Sequence, residues 1–144
     1  MNNSLHILLA EDNSINQMIV TRLLEKYGHK VVIANNGFEA VACLQKEYFD
    51  LILMDVEMPK MDGLEATKKI REQEEKIKSG EVVCEPESSF VQAREKKIPI
   101  IALTAHAMKG DKERFLEAGM DGYLAKPINV EDLFEVIKGV AVRK

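Results

Sequence analysis

Four short apolar runs in this chain each stop at a residue suited to phosphate or metal chemistry. No other feature constrains the fold as tightly. Residues 5–10 (L-H-I-L-L-A) run into Glu11-Asp12, and residues 51–54 (L-I-L-M) run into Asp55. Residues 98–103 end at Thr104, and residues 123–125 run into Lys126-Pro127. Unbroken apolar runs this short suit strands buried on both faces of a parallel sheet. Ligands of such sheets sit beyond the carboxyl ends of the strands. One edge is therefore expected to receive the carboxylates of Glu11, Asp12 and Asp55, the Thr104 hydroxyl and the Lys126 ammonium. Together these residue types would suit a magnesium-dependent phosphoryl-acceptor site.

Between these runs the pattern turns helical. Asn13 or Ser14 can cap a helix with Ile15, Met18, Ile19 and Leu23 at helical spacing, stopped by Gly28. Residues 31–34 read as a second strand, and Asn36-Gly37 turns into a helix carrying Ala40, Val41 and Leu44. Residues 51–55 form the third strand. After a loop over 59–63, Asp62 caps a helix through Ile70. Residues 98–104 are the fourth strand, a helix around Phe115-Leu116 ends at Gly119, and 121–125 are the fifth strand. The last helix opens at Asn129, has Asp132 as a capping-box-like partner, and buries Leu133, Val136, Ile137 and Val140.

Strands alternating with helices of this length imply right-handed crossovers and a parallel sheet covered on both faces. The fold class is α/β, a flavodoxin-like, doubly wound (βα)5 unit with five parallel strands in the order 2-1-3-4-5. Its switch point lies between the first and third strands, where Glu11, Asp12 and Asp55 would meet.

The 144 residues (1–144) are expected to form one domain. Residues 73–97 break the rhythm, being highly charged with Ser79-Gly80 and the stretch 85–89 as breakers. Connections in α/β units usually take about 2–6 residues, so this is a charged insertion or an extended helix followed by a loop. It is expected to be a solvated surface excursion, with Val82-Val83 and Phe90-Val91 able to dock only weakly.

A net charge of −4 offers no reason to expect nucleic acid or an anionic membrane as partner. No apolar stretch approaches the roughly 20 residues that span a bilayer. Residues 1–4 lack the basic region and apolar core of a signal peptide, so a cytoplasmic location is expected. Cys43 reads as a small buried hydrophobe and Cys84 as part of a polar segment, with no disulfide framework between them.

Asp55 is the candidate nucleophile, because a carboxylate at a strand end can accept a phosphoryl group as an acyl phosphate. Glu11 and Asp12 beside it crowd negative charge, which disfavours ionisation unless a cation is present. Magnesium suits such a site: it is small, prefers oxygen in an octahedron, and uses one or two carboxylates plus a phosphate. Lys126 supplies a positive charge for phosphoryl oxygens and Thr104 a hydroxyl. Phosphoryl transfer needs mainly this positioning and neutralisation. Tyr123 alternates along a half-exposed edge strand, as packing or as a rotamer switch. His6 is expected in the core, and His106 near the rim, where it could modulate water access.

Four segments carry a resemblance: L-L-A-E-D-N-S-I-N-Q (8–17), L-I-L-M-D-V-E-M-P-K-M-D-G-L-E-A (51–66), P-I-I-A-L-T-A-H-A (99–107) and G-M-D-G-Y-L-A-K-P-I (119–128). Together they resemble a response-regulator receiver domain of two-component and phosphorelay signalling, most of all receivers of hybrid sensor histidine kinases. The resemblance covers the chain except for residues 73–97. It implies that Asp55 is phosphorylated from a phosphohistidine on a histidine kinase or a histidine-phosphotransfer domain. It implies that Glu11, Asp12, Asp55 and the backbone carbonyl of Glu57 hold Mg2+. Thr104 and Tyr123 match the family's coupled switch, and Lys126-Pro127 its lysine followed by a cis peptide bond. Such a domain is an acceptor that catalyses its own phosphorylation and can hydrolyse its acyl phosphate, rather than a turnover enzyme.

The chain stops soon after its fifth helix, so it is expected to be a free-standing receiver or a piece of a hybrid kinase. A phosphorylation-dependent dimer stays open. Among alternatives, a topoisomerase-primase-type nucleic-acid enzyme or a haloacid-dehalogenase-type phosphatase needs Asp-x-Asp where this chain has Asp55-Val56-Glu57. An acidic first loop would repel a flavodoxin's cofactor phosphate. A non-phosphorylated scaffold receiver would not need the full set of chemical residues found here.

Overall fold

The computed structural model describes residues 4–93, 95–105 and 110–143. Five strands, β1 (His6–Ala10), β2 (Lys30–Ala34), β3 (Leu51–Asp55), β4 (Ile100–Thr104) and β5 (Gly122–Ala125), pair in parallel in the order 2-1-3-4-5. Helices α1 (Ser14–Lys26), α2 (Gly37–Lys46), α3 (Gly63–Lys78), α4 (Asp111–Ala118) and α5 (Val130–Arg143) connect and cover them. Among the described residues, no helix is long and apolar enough to cross a membrane.

The inner strands β1, β3 and β4 lack polar alternation because both their faces are buried. Leu8, Ala10, Ile52, Met54, Ile100 and Ala102 face one apolar layer with Ala40, Leu44, Ala66, Ile70 and Phe115. Their neighbours Ile7, Leu9, Leu51, Leu53, Ile101 and Leu103 face the other, against Val20, Leu24, Leu133, Ile137 and Val140. Helix starts follow side-chain chemistry. Asn13 Oδ1 accepts from the N–H groups of Ile15 and Asn16, Asn36 Oδ1 from Glu39, Asp62 Oδ1 from Glu65, and Asn129 Oδ1 from Glu131 and Asp132. Each satisfies orphan donors of a first turn.

Three expectations need correction. In α1 the buried residues are Val20 and Leu24, whereas Ile15, Met18 and Ile19 are 61%, 45% and 48% exposed. Successive residues turn by 100°, so these three lie on the side away from Val20 and leave an apolar face in solvent. His6 is half-buried rather than a core residue, its ring 4.5 Å from Phe49 and its Nε2 3.9 Å from Glu47.

The third correction concerns the solvated, weakly docked excursion expected over residues 73–97. Helix α3 continues to Lys78, burying Glu74 and Ile77. Beyond it, Phe90 is only 2% exposed and packs in the same apolar layer as Phe49, Ile77 and Ala93. Val83, by contrast, is 92% exposed. Ser88 Oγ donates to Leu44 O at 3.0 Å, and Ser89 Oγ donates to Glu47 O at 2.6 Å while accepting from the Phe49 N–H. A helix leaves its last carbonyls without intrahelical partners, and these serines satisfy two at the end of α2. The return to the sheet is closed by Arg71, which donates to Gly119 O, Ile98 O, Glu74 and Asp121 at 2.8–2.9 Å. The segment is thus tied to the domain by hydroxyls and one aromatic ring.

Candidate functional site

Chain segments at the ends of β1, β3 and β5, with Thr104 and Ala105 at the end of β4, build a cleft of about 490 Å³ at the carboxyl end of the sheet. The first extends β1. The Glu11 N–H donates to Ala34 O at 3.0 Å, continuing the ladder and leaving Glu11 1% exposed. Its Oε2 accepts from the Asn13 N–H at 3.1 Å, and the exposed Asp12 lines the cleft beside it.

The second segment is the end of β3. The Val56 N–H donates to Leu103 O at 3.0 Å, and the Gly63 N–H at the start of α3 donates to Val56 O at 3.1 Å. A Cβ at position 63 would collide with the carbonyl oxygen of Asp55, so only glycine lets α3 start this close. Asp55 is almost fully buried, and its Oδ1 accepts from the Glu57 N–H at 3.1 Å.

The third segment follows β5. The Lys126 N–H donates to Thr104 O at 2.7 Å, and the Lys126–Pro127 bond is cis. Lys126 Nζ reaches Glu11 Oε1 at 2.8 Å and Asp55 Oδ2 at 3.1 Å. The cleft thus brings together Glu11, Asp12, Asp55, Glu57, Thr104 and Lys126. Tyr123 stands apart, 40% exposed, its ring centroid 6.2 Å from Phe115. His106 lies outside the described residues.

The charges are not independent. Burial, then the hydrogen bond and charge of Glu11, push the Asp55 carboxyl up to about 7, against the opposing pull of Lys126 and the Glu57 N–H. Burial alone would raise Glu11 too, but Lys126, Asp55 and the Asn13 N–H hold it below the usual value. Burial disfavours the charged Lys126, yet Glu11 and Asp55 hold its pKa above the ordinary one. Metal-free, burial and the neighbouring acid therefore favour the protonated form of Asp55 below about pH 7, a preference that a bound cation would oppose.

This has a measurable sign. An unfolded aspartate titrates near ~3.9. Between roughly pH 4 and 7 the folded state then holds a proton that the unfolded state has lost, so stability falls as pH rises through that window. Glu11 acts oppositely, but its window lies below the ordinary carboxylate value. In the absence of divalent cations, Asp55→Asn is expected to be more stable than the parent at pH 8 by about 2 kcal/mol, after discount for water at the cleft mouth. The gain should shrink by more than half at pH 5 and disappear only below about pH 4, where both states hold the proton. Urea titrations in chelator at pH 8 and pH 5 check this, and equal stability at pH 8 would contradict it.

The donor set fits magnesium. One ligand oxygen each from Glu11, Asp12 and Asp55 lie within 4.8 Å of one another. Glu11 Oε1, shielded from solvent, has the ammonium at 2.8 Å as an ion-pair partner but no hydrogen bond of ordinary geometry. Hard, all-oxygen sites of this kind suit Mg2+. Sequence reasoning missed Gln17, whose Nε2 donates to the Glu11 carbonyl and, at 2.8 Å, to Asn35 Oδ1. Its signal was its place one turn after Asn13, on the side of α1 nearest the acidic turn.

Comparison with known proteins agrees with this geometry. The sequence profile of the response regulator receiver domain matches residues 7–83 and 88–138. A probable histidine kinase 1 of Oryza sativa subsp. indica is 39% identical over 148 aligned positions, covering 94% of this chain. The chain spans only 15% of that kinase's length. The receiver domain of sensor histidine kinase PA1611 from Pseudomonas aeruginosa, with a magnesium ion coordinated in its active site cleft, is similar with a TM-score of 0.74 and 34% identity. That match covers 96% of this chain and 98% of that one. The co-crystal structure of the Saccharomyces cerevisiae histidine phosphotransfer protein Ypd1 and the receiver domain of Ssk1 matches with a TM-score of 0.81 and 31% identity, covering 96% of this chain and 90% of that one. Sheet order, cleft and sequence profile converge, and the chain belongs to the response regulator receiver domain family.

Proposed function

We propose that Asp55 accepts a phosphoryl group from the phosphohistidine of a histidine kinase or histidine-phosphotransfer domain, with Mg2+ as cofactor. The observation that carries this reading is the setting of Asp55: a buried carboxylate at an open cleft, 3.1 Å from an ammonium and beside two further acids. An Asp55 oxygen attacks phosphorus, the P–N bond breaks, and the imidazole leaves with the bonding pair and takes a proton from solvent. Lys126 neutralises the charge on the phosphoryl oxygens, and the Thr104 hydroxyl donates to one of them. Glu11, Asp12, Asp55 and the Glu57 carbonyl would hold magnesium, which when bound offsets the crowded negative charge. Thr104 ends β4 and Tyr123 sits in β5 opposite Ala102, so drawing Thr104 to the phosphoryl group can be relayed to the tyrosine ring. We read the domain as cytoplasmic, working alone or within a hybrid kinase.

The exposed Ile15 and Ile19 supply an apolar docking face on α1, whose first turn lines the cleft through Ser14 and Asn16. A helix-bundle donor that brings its histidine over Asp55 would cover that face. Ile15→Asp with Ile19→Asp is therefore expected to slow transfer from a phosphorylated histidine-phosphotransfer protein such as Ypd1 by about 10-fold or more. Labelling by acetyl phosphate should stay within about twofold, because the substitutions are on the surface. Unchanged transfer from the protein donor would put docking elsewhere.

A further inference from the structure

The start of α2 touches both acid-bearing loops, and neither contact belongs to the acid set itself. On one side, Gln17 Nε2 bridges the Glu11 carbonyl and Asn35 Oδ1. Asn35 is fixed in turn, its N–H and Nδ2 both donating to Glu39 Oε1 at 2.9 and 3.1 Å. The buried Asn36 caps the helix through the Glu39 N–H. On the other side, the Gly37 N–H donates to Met61 O at 2.9 Å. A Cβ at position 37 would sit 2.6 Å from that oxygen and 2.7 Å from Met61 Cγ.

Met61 ends the loop that begins at Asp55. Its N–H donates to Pro59 O at 2.8 Å around Lys60, which adopts a φ of 68°. A turn with a left-handed, non-glycine centre is strained and persists only where its surroundings over-determine it. Here the surroundings are the buried Met61 side chain and the hydrogen bond from Gly37.

We propose that residues 35–39, with Gln17, form a clamp that sets the distance between the Glu11-Asp12 turn and the Asp55–Met61 loop, and so tunes the cleft for magnesium. Gln17 and Gly37 are positioning residues, since neither reaches the cation. The inference rests on the reading that Glu11, Asp12 and Asp55 hold a divalent cation. Mg2+ demands near-ideal octahedral geometry, whereas Ca2+ accepts flexible coordination. Loosening the clamp should therefore weaken Mg2+ more than Ca2+. Loss of outer-shell support typically lowers metal affinity by about 10-fold or more.

Calorimetric titration of the metal-free chain with Mg2+ and Ca2+, alongside its melting temperature in chelator, tests this. Gln17→Met removes the bridging donor at similar length, and Gly37→Ala forces Met61 to shift. Each is expected to raise the Mg2+ Kd by about 10-fold and to change the Ca2+ Kd by less. Phe38→Ala, at an exposed neighbouring position, should leave both within about twofold. Should Gly37→Ala fail to fold, Gln17→Met alone decides. Lower melting temperatures with Mg2+ affinity unchanged would make the contacts merely structural and overturn the proposal, as would equal losses for both ions. A parent that binds neither ion would instead overturn the assignment of the acidic cleft.

Discussion

Phe90→Ala is expected to destabilise the domain by about 3–5 kcal/mol, although it lies in a segment whose composition reads as solvated loop. The ring is buried in the same apolar cluster as Phe49, Ile77 and Ala93, and its removal leaves a cavity that the surrounding sheet and helices cannot readily close. For a chain of this size the loss corresponds to a fall in melting temperature of about 10 °C. Val83→Ala serves as control, since Val83 is 92% exposed and should move stability by no more than about 0.5 kcal/mol. Replacing the segment with a flexible linker would also strip the Ser88 and Ser89 hydroxyls from the Leu44 and Glu47 carbonyls, so such a deletion should lose stability rather than leave the fold indifferent. A loss below about 1 kcal/mol for Phe90→Ala would mean that the segment rests on the domain without supporting it.

The contrast between Phe90 and Val83 marks where sequence stops being legible. Strand runs, caps and sheet order are written locally: apolar runs closed by Asp, Thr or Lys, and Asn13, Asn36, Asp62 and Asn129 one step ahead of helical periodicity. The chemical residues are legible for the same reason, because strand ends in a parallel sheet must converge on one edge. Contacts between distant segments are not written locally. Nothing near Ser88 in sequence announces that its hydroxyl will meet a carbonyl at the end of α2, and nothing near Arg71 announces its partners just before β4 and beyond α4.

Helical spacing on α1 likewise marks two apolar faces. Only tertiary packing selects Val20 and Leu24 over Ile15 and Ile19 as the buried one. The electrostatic asymmetry of the cleft was also hidden: three acids converge as expected, yet burial assigns the raised pKa to Asp55 while Lys126 holds Glu11 ionised.

The largest effect expected of any substitution is the loss of phosphorylation in Asp55→Asn. The amide keeps the size of the side chain and a neutral form that the metal-free cleft already favours, so the fold survives while the nucleophile is removed. The direct measurement is intact-mass analysis after incubation with acetyl phosphate and Mg2+. The parent should gain a single phosphoryl group, stable in acid and labile in base as an acyl phosphate is, and the gain should vanish in chelator. Asp55→Asn should remain unlabelled under the same conditions. Stoichiometric, magnesium-dependent labelling of that variant would place the acceptor on another side chain and contradict the account at its centre.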